Sequence, residues 1–294
     1  MNNVTTHRLG IDIGSTTVKI AILDEQDHLL FADYERHYAN IQETLASLLQ
    51  KAETQLGTLQ VAPVITGSGG LALAKNMEVP FVQEVIAVSS SISHYIPQTD
   101  VAIELGGEDA QIIYFDNGNI EQRMNGICAG GTGSFIDQMA SLLQTDAIGL
   151  NEYAKSYQSL YSIAARCGVF AKSDIQPLLN EGATKEDVSA SIFQAVVNQT
   201  LAGLAQGREI KGDVLFLGGP LYFFQGLQKR FKETLHLEDQ HAHFPDLAPY
   251  AIAAGAAQYS ESTKATYTYD ELIEVLEKTA GVPVSASYLT PLFT

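Results

Sequence analysis

The chain carries two cysteines in 294 residues, Cys128 and Cys167, and both stand in the same kind of local sequence. Cys128 lies in the stretch N-G-I-C-A-G-G-T-G-S-F-I-D-Q-M, Asn125 to Met139. A loop with Gly130, Gly131 and Gly133 follows it, and then Phe135, Ile136, Met139, Leu142 and Leu143 recur at helical spacing. Cys167 lies in A-A-R-C-G-V-F-A-K-S-D-I-Q-P-L-L, again just ahead of an apolar run, Val169, Phe170, Ile175, Leu178 and Leu179. Each thiol therefore precedes a predicted helix N-terminus, where unsatisfied backbone N–H groups and the positive end of the macrodipole favour a thiolate. A free cysteine on its own is most often a small buried core residue. Two in matched settings point instead to a paired role, as a disulfide, a metal site or a cluster.

A second chemistry is written at the start of the chain. Leu9 to Leu23 reads L-G-I-D-I-G-S-T-T-V-K-I-A-I-L, a strand that breaks at Gly14-Ser15-Thr16-Thr17 and resumes as a second strand. Such a turn offers a glycine, hydroxyls and backbone N–H groups, which together cradle phosphate. Asp12 at the strand end is placed to hold a metal ion through water. Lys19 on the return strand is placed to meet phosphate charge. The pattern recurs 92 positions downstream, in V-A-I-E-L-G-G-E-D-A-Q-I-I-Y-F from Val101 to Phe115. There Glu104 falls on Asp12, Gly106 on Gly14, Gln111 on Lys19 and Asp116 on Asp24. A repeat in register predicts two halves, each a sheet covered by helices with a carboxylate and a glycine turn at the end of its first hairpin. Two such turns facing one another would grip a polyphosphate from two sides.

The elements that must position these residues follow from periodicity. Helices are predicted at 41–56, 71–76, 84–95 and 188–204, with Thr184 as the N-cap of the last and acids in its first turn. Residues 150–161 read as a polar, tyrosine-rich helix, and 162–167 as a short strand or turn. Buried strands are predicted at 61–66 and 213–217, the latter ending in Gly218-Gly219. A basic helix follows at 226–235, and an alanine-rich one at 249–259 whose small residues allow close packing. Residues 261–268 read as a polar linker, 269–278 as a short amphipathic helix, and 285–294 as an apolar end resembling a docking strap or the start of a further domain. The predicted division is 1–100, 101–260 with the last helix packing back on the first half, and 261–294 as an extension.

Composition narrows the partners. Seventeen basic against 34 acidic residues give a net charge of −17, which argues against nucleic acid, whose phosphate backbone requires a basic patch. No apolar run reaches the roughly 18 residues that span a bilayer, and the polar start carries no signal core. The expected setting is cytoplasmic, away from membranes, where structural disulfides are rare. That favours a metal or cluster role for the cysteines.

Taken together, these residues resemble the actin-like ATPase superfamily, and within it the ATP-dependent activators of 2-hydroxyacyl-CoA dehydratases, grouped with the benzoyl-CoA reductase ATPase subunits. L-G-I-D-I-G-S-T-T-V-K is like that family's first phosphate motif, and E-L-G-G-E-D like its second. C-A-G-G-T-G-S-F-I-D-Q-M-A and R-C-G-V-F-A-K-S-D are similar to its two cluster segments. F-L-G-G-P and Y-A-I-A-A-G-A-A resemble its adenosine-side loop and last helix. The match covers about residues 8 to 260. The resemblance implies an α/β chain with a duplicated actin-like (ribonuclease H-like) ATPase fold, two mixed-sheet halves with helices and a nucleotide cleft between them. It implies ATP/ADP with Mg²⁺ as ligand, catalysis by Asp12, Glu104 and Asp109, and nucleotide contacts at Gly14, Ser15, Thr16, Lys19, Gly106, Gly107, Gly131, Thr132, Gly218 and Gly219.

Cys128 and Cys167 become cluster ligands on this reading. A [4Fe–4S] cluster normally takes four thiolates, so a chain with two holds either no such cluster or half of one shared across a two-fold axis. The resemblance implies the second, one air-sensitive cluster per homodimer. It further implies ATP-coupled delivery of one low-potential electron to an acyl-CoA dehydratase or related iron–sulfur protein, with ferredoxin or flavodoxin as donor. Loss of the γ-phosphate would let the halves rotate. Glu104 and Glu108 depart from the family's usual Asp and Gln, and Pro220 to Phe224 replaces a smaller, more polar loop. The rival readings are a small-molecule kinase of amino-sugar type on the same fold, with structural cysteines, and a non-enzymatic assembly protein of actin type.

Overall fold

The first hairpin forms where the alternation predicts it: β1 (Thr6–Ile13) pairs antiparallel with β2 (Thr17–Leu23), and β2 with β3 (Leu29–Arg36). The structure is a computed structural model, and it describes residues 5–116, 118–125, 130–164, 168–262 and 265–279. Asp12 stands directly across the ladder from Lys19. Helix α1 (Ile41–Leu56) returns the chain to β4 (Gln60–Thr66), which lies parallel to β1, giving a four-stranded sheet in the order β3-β2-β1-β4. Helices α2 (Gly70–Met77) and α3 (Glu84–Tyr95) follow.

The pattern then starts again. β5 (Val101–Leu105) pairs antiparallel with β6 (Ala110–Asp116), and β6 with β7 (Asn119–Asn125). Glu104 stands across from Gln111, the same register as Asp12 and Lys19. Five helices follow: α4 (Gly133–Leu142), α5 (Ala147–Ala154), α6 (Gly168–Asn180), α7 (Lys185–Thr200) and, beyond β8 (Val214–Leu217), the short α8 (Gly219–Phe223). β8 lies parallel to β5 as β4 does to β1. Helix α9 (Gln225–Leu235) and the short edge strand β9 (Ala242–His243) complete a five-stranded sheet in the order β7-β6-β5-β8-β9.

These elements make two compact units. One is built from residues up to Ala87 together with those from Ile252 onward, the other from Val88–Ala251. In the first, the apolar faces of β1, β2 and α1 form a core of Leu9, Ile11, Ile20, Leu45 and Leu49, all fully buried. Helix α10 (Ala251–Gln258) is alanine-rich because it touches backbone. A Cβ on Gly10 of β1 would lie 1.8 Å from the Ala253 carbonyl, and one on Gly255 would lie 1.7 Å from that of Ala87. The second unit is centred on Ile103, Ile112, Phe135, Ile192, Phe193 and Phe216.

Three sequence expectations are corrected. Residues 150–161 are not one helix: α5 stops at Ala154, and 157–164 run without regular structure. The reason is local, since the backbone N–H groups of that run find partners on other helices. On α6, Val169 and Phe170 do not join the buried face and are 70% and 64% exposed. The inward stripe is Ala171, Ile175, Leu178 and Leu179, at true helical spacing. The run 261–268 is not merely a linker: Tyr267 bridges to Val61, and Thr268 starts α11 (Tyr269–Lys278) with a capping box to Glu271. Tyr269, Leu272 and Leu276 of α11 belong to the first unit's core. Residues 285–294 lie outside the described residues. Among the described residues no helix is long and apolar enough to cross a membrane.

Candidate functional site

Asp12 closes β1 with its side chain almost wholly buried. Its Oδ2 lies 2.7 Å from Lys19 Nζ, so the lysine expected to face phosphate is held by the carboxylate. The Gly14 N–H donates to the Thr17 carbonyl at 2.9 Å and closes the turn over Ser15 and Thr16, both half-buried. At the end of β4 stands Gly67, with φ of 91°. A Cβ there would lie 2.4 Å from the Ile13 carbonyl oxygen and 2.5 Å from Asp12 Oδ1. Only glycine serves both the left-handed backbone and the contact. Thr66, paired with Asp12 across the parallel ladder, is fully buried, and its hydroxyl has no hydrogen-bond partner among the described residues. An orphaned buried hydroxyl beside a buried carboxylate is a place for a bound water.

The second unit repeats the construction. Glu104 is 4% exposed at the end of β5. Gln111 donates from Nε2 to Glu104 Oε2 at 3.1 Å, and Gln122 of β7 donates to Gln111 Oε1 at 2.6 Å. The Gly106 N–H donates to the Asp109 carbonyl at 2.8 Å, the counterpart of Gly14 and Thr17. Asp109 thus contributes its backbone to the turn, while its side chain is half-buried. Gly218, with φ of 88°, follows β8 as Gly67 follows β4, and a Cβ there would meet the Leu105 carbonyl oxygen at 2.1 Å and Glu104 Oε1 at 3.1 Å. One chemical difference separates the turns: Asp12 faces a cation across the ladder, and Glu104 faces a neutral amide.

Helix α4 is joined to this second turn. The Gly133 N–H donates to the Gly106 carbonyl at 3.0 Å, and the Ser134 N–H to the Gly107 carbonyl at 2.8 Å. Two of the first N–H groups of the helix are spent on the turn rather than on a side-chain cap, since the Thr132 side chain makes no capping bond. Gly131, with φ of 85°, packs against Gln199 and Thr200 of α7. Gly219 begins α8, and the Gly218 N–H donates to the Ala248 carbonyl at 3.0 Å. The expected Pro220–Phe224 loop is therefore largely helical.

Cys128 and Cys167, the proposed cluster ligands, lie outside the described residues. Their neighbours are placed. β7 ends at Asn125, three residues before Cys128, and α6 begins at Gly168, next to Cys167. The segment leading to Cys167 is tied down by side chains. Gln158 and Ser159 donate their N–H groups to Asp187 Oδ1 at 2.7 and 2.9 Å, Tyr161 donates to Ser191 Oγ at 2.8 Å, and Ala164 to Asp174 Oδ2 at 2.8 Å. The Ser159 N–H, and after it that of Gln158, hold the Asp187 carboxyl below the usual aspartate range. In the sequence Asp187 is a first-turn acid of α7; its role as anchor depends on a partner 28 residues away. Among the described residues no three His, Cys, Asp or Glu side chains converge as a metal site. Magnesium does not need one, because it usually takes one or two carboxylates plus phosphate oxygens and water.

Two buried carboxylates, each beside a glycine turn in a duplicated mixed sheet, define an ATPase of the actin-like fold class. The chain belongs to the BadF/BadG/BcrA/BcrD ATPase family, whose model matches residues 9–260. It is 29% identical over 265 residues to the (R)-2-hydroxyglutaryl-CoA dehydratase activating ATPase of Acidaminococcus fermentans, covering 87% of this chain and 98% of that one. The crystal structure of component A of the (R)-2-hydroxyglutaryl-CoA dehydratase from that organism superposes with a TM-score of 0.76 at 27% identity, over 88% of this chain and 99% of that one. The activator of the 2-hydroxyisocaproyl-CoA dehydratase from Clostridium difficile, solved with bound ADPNP, gives 0.73 at 26% identity, over 92% and 97%.

Proposed function

We propose that this chain is a cytoplasmic, ATP-driven one-electron donor. It acts as a homodimer that holds one [4Fe–4S] cluster through Cys128 and Cys167 of each copy. It takes an electron from ferredoxin or flavodoxin and delivers it to a 2-hydroxyacyl-CoA dehydratase or a related iron–sulfur protein, while ATP and water become ADP and phosphate. The relatives named above support the dehydratase as partner and ATP as fuel. When bound, the cluster supplies a low-potential one-electron carrier and Mg–ATP supplies the free energy of hydrolysis.

The chain's own residues do the rest. The turns Gly14-Ser15-Thr16 and Gly106-Gly107 present backbone N–H groups to phosphate. Asp12 and Glu104, each near the end of the first strand of its own sheet, are each suited to hold a magnesium ion through water or to orient a water. The glycines at 67 and 218 keep the room beside these carboxylates that a Cβ would fill. The observation that carries the reading is the pair of hydrogen bonds from Gly133 and Ser134 of α4 to the Gly106 and Gly107 carbonyls. A shift of the second turn on gaining or losing a γ-phosphate has to move the start of α4, which is the helix that follows Cys128.

The test is made on protein purified without oxygen. Cys128→Ser and Cys167→Ser should each abolish iron binding while Mg–ADPNP binding is largely retained. Either variant keeping its full iron would overturn the ligand assignment.

A further inference from the structure

We propose that His37, the residue after β3, is a positioning residue that sets the first phosphate turn. This rests on the nucleotide reading above, and nothing in the sequence motifs marks the residue. Its side chain is 9% exposed. Its backbone N–H donates to the Thr16 carbonyl at 3.1 Å, and its ring Nε2 lies 3.2 Å from the Gly14 carbonyl oxygen. The Ala39 N–H donates to Nδ1 at 3.0 Å. Nδ1 being an acceptor, the ring proton stands on Nε2 and is donated to Gly14. One residue therefore holds the carbonyls on both sides of Ser15.

Peptide planarity turns this into a statement about phosphate. In a trans peptide the carbonyl and the next N–H point in opposite directions. With the Gly14 carbonyl drawn to His37, the N–H of Ser15 is aimed away from the imidazole. His37 thereby fixes the direction of a donor in the phosphate cradle without touching the nucleotide. The local backbone is strained to keep the ring in place. Tyr38 and Ala39 take φ of 42° and 69°, and the Asn40 N–H closes the bend on the His37 carbonyl at 2.5 Å. Left-handed backbone at two successive non-glycine residues persists only where the surroundings over-determine it.

Three variants separate positioning from mere filling. Glutamine can still reach the Gly14 carbonyl with an amide donor; asparagine can still accept from Ala39 but falls short of Gly14. His37→Ala should weaken Mg–ADPNP binding roughly tenfold, the order of one lost hydrogen bond with a relaxed donor behind it. His37→Gln should stay within about threefold of the parent, and His37→Asn should be as weak as alanine. Amide exchange at residues 14–17 of the nucleotide-free protein should accelerate in the alanine and asparagine variants only. Should the alanine variant fail to fold, the glutamine–asparagine pair decides. Asparagine matching the parent while glutamine does not would show that the ring only shapes the bend, and parent-like binding and exchange in all three would overturn the proposal. If the parent itself fails to bind Mg–ADPNP, the nucleotide reading falls, and the exchange measurement still decides whether His37 holds the turn.

Discussion

At the residue scale the two carboxylates are equivalent in position and unlike in setting. Asp12 is paired with Lys19 at 2.7 Å, and Glu104 with the amide of Gln111 at 3.1 Å. Asp12→Asn and Glu104→Gln keep the packing and remove the charge. Each should lower phosphate release by at least about a hundredfold, the size of one lost transition-state contact. Mg–ADPNP binding, measured by titration, should fall much less; equal losses in both would show that the carboxylates only bind the ground state. Tyr269 makes a second residue-scale prediction. Burial, and then the nearby Glu53, push its phenol up to about 12, and its hydroxyl has no hydrogen-bond partner among the described residues. Tyr269→Phe should therefore leave thermal stability unchanged or raise it, by up to about 1 kcal/mol. A fall of more than that would mean the hydroxyl is satisfied. The carboxylates were legible in the sequence because type, spacing and a repeat in register all point to them. Gly67, Thr66 and Gln122 were not, because their neighbours come from other strands.

At the element scale, the predicted helix at 150–161 fails for a physical reason that a single sequence hides. Residues 157–164 trade intrahelical bonds for side-chain acceptors on α6 and α7. Periodicity reports only a segment's own pattern, whereas this run is shaped by Asp187, Ser191 and Asp174. The anchoring has a pH signature. The carboxyl of Asp187 is held low by the N–H groups it accepts from, so its contribution is present above the unfolded aspartate value and is lost as pH falls through the lower folded value. The thermal stability lead of the parent over Asp187→Ala should thus be constant near neutrality and shrink below about pH 4. Melting curves across that range check it, and a lead that widens on acidification would contradict it. By contrast α1 and α11 are readable to the residue, since each is amphipathic and buries its own apolar stripe.

The whole molecule is a duplication, and that too could be read in the chain. Asp12 with Lys19 and Glu104 with Gln111 share one register, and the repeat extends beyond the motif to the strands and glycines that back it, β4 with Gly67 and β8 with Gly218. The proposed electron donation rests on two features of the chain: two thiols, and a second glycine turn bonded to the helix after one of them. Two thiols cannot complete a four-thiolate cluster, so the account stands or falls on a second copy. Native mass spectrometry of the anaerobically purified, full-length protein measures iron and copy number together. The account predicts a dimer carrying about four irons, as expected for one such cluster, and an iron-free monomer from Cys128→Ser or Cys167→Ser. A colourless dimer without iron after anaerobic reconstitution, or a monomer with a full cluster, would contradict it.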